Sequence, residues 1–203
     1  MTIASPPEIA ERYARVCAEV GSAVTVVVAT KYVSADELGA LAEAGVEVVG
    51  ENRAQDLEEK HALYGGALRW HFIGHLQSNK VKVVNRSCEL VHSVGSDSAA
   101  RRVEIPALLE VNLTGETSKS GVAAEEIGAY VERYPLIRGL MTMPPLAADP
   151  EASRTHFARL RELAAEYGLT ELSMGTSQDY RIAAEEGATL VRVGATIFAP
   201  NQS

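Results

Sequence analysis

The chain has 203 residues, 46% hydrophobic and 23% charged, which is the balance of a soluble globular protein and enough length to enclose a core without disulfides or structural metal. Nineteen lysines and arginines against 27 aspartates and glutamates give a formal charge of −8, which repels phosphate backbones and anionic lipid, so neither nucleic acid nor a membrane is expected as a partner. Cys17 and Cys88 carry no disulfide-framework spacing, residues 1–7 lack a charged region followed by an apolar one, and the longest apolar stretch, Ala23 to Ala29, falls short of the roughly 20 residues a membrane span needs; a cytoplasmic protein is expected.

Pro6 and Pro7 open a helix in which Ile9, Tyr13, Val16, Cys17 and Val20 recur at helical spacing, with Cys17 toward the core and Gly21 closing it. Ala23 to Ala29 is β-branched and apolar on both faces, as in a parallel strand covered by helices. Ser34 and Glu37 form a capping box for a helix that runs to Gly45, and strand Val46 to Val49 follows. A polar helix from Arg53 to Leu63 leads through Gly65-Gly66 to strand Arg69 to Ile73, then helix Ser78 to Asn85 and strand Leu90 to Ser93. After a short polar piece, Asp97 to Arg102, come strand Ala107 to Asn112, helix Ala123 to Arg133 and strand Ile137 to Met141. Helix Pro150 to Tyr167, strand Glu171 to Met174, helix Gln178 to Glu186 and strand Leu190 to Val193 complete the order. About eight strands alternating with helices describe an α/β fold, a single (β/α)8 TIM-type barrel with an extra amino-terminal helix, as one domain over residues 1–203; an open doubly wound sheet is the alternative.

Barrels of this kind bind ligands at the carboxyl ends of their strands. Lys31 stands just past the first strand, where partial desolvation would favour a free amine able to attack a carbonyl; a surface lysine covering apolar atoms is the plainer reading. Met174-Gly175-Thr176-Ser177 brings backbone N–H groups and two hydroxyls to a strand-to-helix junction, and Val193-Gly194-Ala195-Thr196 ends the neighbouring strand, so the two suit a phosphate between them. Arg192, inside an otherwise apolar strand, either faces the barrel mouth or enters a buried salt bridge. An imine-forming lysine, a phosphate cradle and an arginine between them describe a pyridoxal 5′-phosphate site better than a sugar-phosphate aldolase.

Ala29-Thr30-Lys31, Gly50-Glu51-Asn52-Arg53-Ala54-Gln55, the run from Trp70 to Lys80 and Gly139-Leu140-Met141-Thr142-Met143 resemble the pyridoxal phosphate homeostasis protein family, related to the N-terminal barrel of alanine racemase, and the resemblance spans nearly the whole chain. It implies a protein of vitamin B6 balance that holds pyridoxal phosphate as a Schiff base on Lys31, without catalytic residues or metal. Ser177, Gly175 and the stretch Gly194-Ala195-Thr196 would take the phosphate, Asn52 and Met143 would line the pocket, and Arg192 would face the pyridine nitrogen and keep it unprotonated, a poor electron sink. The implied protein is a monomer without the second domain that gives alanine racemase its tyrosine base, and its implied partners are pyridoxal-phosphate-dependent apoenzymes.

The chain departs from the family pattern at Gly175-Thr176-Ser177, where Gly-Met-Ser is usual, at Ala195-Thr196, where Thr-Ala is usual, and at Ala199 in place of a terminal glycine. It is shorter at Gly21 to Val24, between Ser98 and Val103, and around Tyr134 to Leu136; the second gap falls within a barrel helix, which is expected to be truncated or to lack residues. His71 and His75 lie on a strand and its following loop, not on one helical face, and are not expected to hold metal; Glu58, Glu59, Glu125, Glu126, Glu185 and Glu186 read as solvated. The basic segment Asn79 to Arg86, with Lys80 and Lys82, reads as a solvated helix face, and a pocket-closing role for Lys119 is a guess. Two rival functions stay open: a pyridoxal-phosphate-dependent amino-acid racemase-like enzyme, and a barrel aldolase whose lysine holds the substrate itself.

Overall fold

The computed structural model describes residues 4–115 and 120–198; the readings on residues 1–3, Lys119 and Ala199 lie outside them. The elements run α1 (Pro6–Val20), β1 (Thr25–Ala29), α2 (Leu38–Glu43), β2 (Val48–Glu51), α3 (Ala54–Tyr64), β3 (Arg69–Phe72), α4 (Val81–Ser87) and β4 (Leu90–Val94). The second half runs α5 (Asp97–Ala100), β5 (Ala107–Glu110), α6 (Ile127–Arg133), β6 (Ile137–Met141), α7 (Arg154–Glu166), β7 (Glu171–Thr176), α8 (Tyr180–Glu185), β8 (Leu190–Val193) and α9 (Ala195–Phe198), with 3₁₀ turns leading into α6 and α7. Each strand pairs in parallel with the next and β8 returns to β1, so the sheet closes and the open-sheet alternative is excluded.

Closure gives every strand an inner and an outer face, and the period of two sorts the residues between them. Val27, Val48, Leu90, Leu108, Met141 and Leu190 meet inside the barrel, while Val26, Val28, Val49, Phe72, Val91, Leu109 and Leu140 face outward into the larger core beneath the helices. Inward parity also carries His71, His92, Ser173 and Arg192 into the barrel, where each is buried. Helix α1 lies outside the repeat and packs on α8 and α9, where Arg12 donates from Nη1 to the Ile197 carbonyl at 3.1 Å.

Two local readings change, and two short helices complete the order. Strand β2 is shifted toward Glu51, which pairs in register with Phe72 and is fully buried, because Lys60 of α3 supplies the cation that makes a carboxylate tolerable there. Ser34 and Glu37 do form their capping bonds, at 2.8 and 2.9 Å, yet they close a turn and α2 begins only at Leu38. Helix α9 directly after β8 had no periodic signal in four residues. Helix α5, which follows β4, is a single turn capped by Ser96.

Candidate functional site

At the carboxyl ends of the strands lies a cavity of about 500 Å³, lined among others by Lys31, Asn52, Glu110, Ser177, Arg192 and Gly194. The backbone before Lys31 is locked. Thr30 is fully buried, its N–H donates to the Gly50 carbonyl at 3.0 Å, its hydroxyl to Glu51 Oε1 at 2.7 Å, and its carbonyl accepts from Lys60 Nζ at 2.9 Å. Lys31 itself is exposed, with Nζ 4.8 Å from the centroid of the exposed Tyr32 ring, which corrects the expectation of desolvation. The strand's apolar cover ends at Thr30, so the lysine leaves the barrel at the rim, and only a ligand filling the cavity would dry it.

The hydroxyl of Ser177 sits between two strands. Its Oγ accepts from the Gly194 N–H at 3.0 Å and from the Thr196 N–H at 3.3 Å, and the Thr196 hydroxyl donates back to the Ser177 carbonyl at 3.3 Å. An oxygen held by two converging backbone N–H groups occupies the place an anion's oxygen would take. The loop is braced by Asp179, whose Oδ1 accepts from the Thr176 N–H at 2.7 Å and hydroxyl at 3.0 Å, while Oδ2 accepts from Ser153 at 2.8 Å. Thr176 is therefore spent on the loop and Ser177 is the hydroxyl left for the cradle. Gly175 and Thr196 do not line the cavity; Ala195 does. Gly175 has φ +90°, and a Cβ there would come within 2.5 Å of the Ala183 methyl, so this glycine lets α8 close on β7.

Arg192 is 6% exposed and faces the mouth. It donates from Nη1 to Ser173 Oγ and from Nη2 to the Thr142 carbonyl at 3.1 Å, and among the described residues no carboxylate reaches it, so the salt-bridge reading is not met. Burial pushes it down to about 10, against the pull of Glu110 and Asp179, so it is charged at neutral pH. Asn52 lines the same cavity with its Oδ1 buried and without a hydrogen-bond partner, a polar atom awaiting a donor. Met143 stands on the rim, 56% exposed.

Sequence reasoning missed Glu110. It ends β5 at an inward position, is 8% exposed, and accepts from the Ser120 hydroxyl at 2.5 Å. A carboxylate closing the apolar run Ala107-Leu108-Leu109 was the available signal. It also lines an adjoining cavity of about 550 Å³ with Asn112, Thr114, Met143 and Leu146, the last 85% exposed. A wider recess of about 730 Å³ at the opposite rim, between Glu47, His61, Arg69 and Arg86, is far from the strand ends that carry Lys31 and the cradle. Among the described residues no His, Cys, Asp and Glu group could hold a metal, and no helix is long and apolar enough to cross a membrane. Glu58 pairs with Arg86, and Glu185 and Glu186 with Arg154, on the surface.

Residues 6–202 match the model of the alanine racemase N-terminal domain family. The chain is 37% identical over 214 residues to the pyridoxal phosphate homeostasis protein of Aquifex aeolicus, covering 94% of each chain. It is 40% identical over 189 residues to the protein of that name in Deinococcus radiodurans, covering 87% of this chain and 89% of the other. Among solved structures, PipY of Synechococcus elongatus, determined with pyridoxal phosphate bound, superimposes with a TM-score of 0.87 at 32% identity, over 94% of this chain and 100% of that one.

Proposed function

The chain belongs to the alanine racemase N-terminal domain family and, within it, to the pyridoxal phosphate homeostasis proteins, and from that premise we propose that it binds pyridoxal 5′-phosphate and serves vitamin B6 balance as a holder of the cofactor. The observation that carries this reading is the convergence, in one cavity of about 500 Å³, of a lysine amine, an unpartnered amide oxygen, a buried guanidinium and an oxygen cradle of two backbone N–H groups. These residues fit the group. Lys31 would hold its aldehyde carbon as a Schiff base, the Ser177 hydroxyl and the Gly194 and Thr196 N–H groups would take its phosphate, Asn52 and Met143 would flank the ring, and Arg192 would face the pyridine nitrogen. When bound, the cofactor supplies an aldehyde that condenses with amines and a ring that withdraws electrons.

Arg192 argues for storage over turnover. A permanent cation donating to the pyridine nitrogen leaves no proton on it, which weakens the ring as an electron sink. An exposed Lys31 at an open rim lets an incoming amine displace the lysine, so the cofactor can pass to apoenzymes dependent on it. One observation favours a second reading, a racemase-like enzyme: Glu110 is a buried carboxylate that lines the same cavity and is of a type that serves as a base.

Absorption spectra after adding pyridoxal phosphate to the protein and to Lys31→Ala test the proposal. A visible band in the former, fixed by borohydride and missing in the latter, is expected. Protein that stays colourless with excess cofactor overturns it. Steady amino-acid turnover that Lys31→Ala and Glu110→Gln both abolish would install the enzyme reading instead.

A further inference from the structure

Arg192 is the mouth end of a continuous series of side-chain hydrogen bonds that crosses the barrel. Its Nη1 donates to Ser173 Oγ; Ser173 Oγ lies 2.7 Å from His92 Nδ1; His92 Nε2 lies 2.9 Å from His71 Nδ1; and His71 Nε2 lies 3.0 Å from Glu89 Oε1. Ser173 and His92 are fully buried and His71 nearly so, while Glu89 sits exposed on the amino-terminal rim, where Arg69 Nη2 meets it at 2.7 Å. None of these groups is needed to fill the barrel, because apolar side chains of similar size would do so without burying polar atoms.

The two ends fix the direction of every bond. A guanidinium only donates, so the Ser173 oxygen accepts from Arg192. At the other end a carboxylate only accepts, so a neutral His71 donates to it from Nε2 and accepts at Nδ1, a neutral His92 donates there from Nε2, and the Ser173 proton goes to His92 Nδ1. The reverse order would set an unprotonated His71 Nε2 against a carboxylate oxygen, two acceptors in contact. Both rings are neutral: burial drives His71 down, and it drives His92 well down, with His71 and Arg192 adding to the effect. Glu89 stays ionised, because its bonds from Arg69 and His71 outweigh the upward push of burial.

We propose that Ser173, His92, His71 and Glu89 form a one-directional relay that holds the Arg192 guanidinium in a single orientation toward the cavity and couples it to the opposite rim of the barrel. Among the described residues no carboxylate hydrogen-bonds Arg192, although Glu110 and Asp179 act on it through space, so its remaining N–H groups are left for the ligand. These four are positioning residues. The claim that Arg192 faces a cofactor ring rests on the reading above, whereas the relay itself does not.

Nitrogen NMR of the histidine rings in the protein without cofactor tests the relay directly. Both His71 and His92 are expected as neutral Nε2–H tautomers at pH 7, and a proton on Nδ1 of either ring, or an imidazolium, would overturn the proposal. The coupling is tested by titrating pyridoxal phosphate into His92→Leu, Glu89→Leu and Glu89→Gln. Loss of the acceptor in Glu89→Leu is expected to lower affinity about tenfold and to move the pH midpoint of the visible band, while Glu89→Gln, which keeps a carbonyl acceptor, stays within about twofold. If His92→Leu does not fold, the rim variants decide. Wild-type affinity and band in Glu89→Leu would sink the coupling, whereas expected tautomers in a protein that takes up no pyridoxal phosphate would sink only the cofactor reading.

Discussion

Replacing Lys60 by Met should be among the most damaging single changes outside the cavity. Glu51 is fully buried and its Oε1 is held by Lys60 Nζ and by the Thr30 hydroxyl at 2.7 Å, with Oε2 accepting from the Asn52 N–H at 3.2 Å. Removing one partner of a buried ion pair costs about 3–5 kcal/mol, because the other charge stays behind. Two neutral donors survive here, the Thr30 hydroxyl and the Asn52 N–H, which puts the loss toward the lower end of that range. The expected loss is therefore about 3–4 kcal/mol, or roughly 6–16 °C in melting temperature for a chain of this size. Urea unfolding at pH 7 measures it, and Lys60→Met/Glu51→Gln should recover about half by removing the orphaned charge. A loss under about 1 kcal/mol, or a double variant no more stable than the single one, would refute the account. Because Lys60 also donates to the Thr30 carbonyl at 2.9 Å, beside Lys31, cofactor uptake should weaken in the same variant.

Other outcomes follow from particular contacts. Gly139→Ala would set a Cβ 2.0 Å from the Glu171 carbonyl oxygen across the β6–β7 pair, so little soluble protein is expected, and normal yield and melting would contradict the barrel register. His71 and His92 titrate lower in the folded chain than in the unfolded one, where they titrate near 6.5. The unfolded chain thus binds more protons below that pH, so stability should be level above about pH 7 and fall as the pH drops below about 6.5, by up to about 1.4 kcal/mol per pH unit for each ring. His92→Gln should flatten that slope, and an unchanged slope in urea titrations would show the rings are not neutral. Cys88 is buried and burial pushes its thiol up to about 12, so iodoacetamide should label it only when the chain unfolds; rapid labelling of native protein would refute its placement.

Much of this molecule was legible in the order of its residues. Alternation of apolar β-branched runs with helical patterns announced a parallel sheet, and the punctuation at Lys31, Ser177 and Gly194 marked strand ends, because backbone period and turn chemistry are local properties. Glu110 and Glu51 were not legible, since a glutamate closing an apolar run reads the same whether it meets solvent, a lysine from a later helix or an empty cavity. The neighbours Gly175, Thr176 and Ser177 looked alike as cradle residues, yet the fold turned Gly175 into a packing position and spent Thr176 on bonds to Asp179.

The amino-acid pattern by itself determined the alternating elements and the amine just past the first strand, which depend on spacing within a few residues, and left a closed barrel and an open sheet both standing. Only the tertiary structure decided that the Ser177 hydroxyl is clasped by N–H groups at the β8–α9 junction, that Arg192 makes no ion pair among the described residues, and that His71, His92 and Ser173 form one line. The reason is closure. Once β8 joins β1, residues as distant in sequence as 71, 92, 173 and 192 share an interior whose occupants are chosen by strand parity and register, and no local signal records which of them will meet.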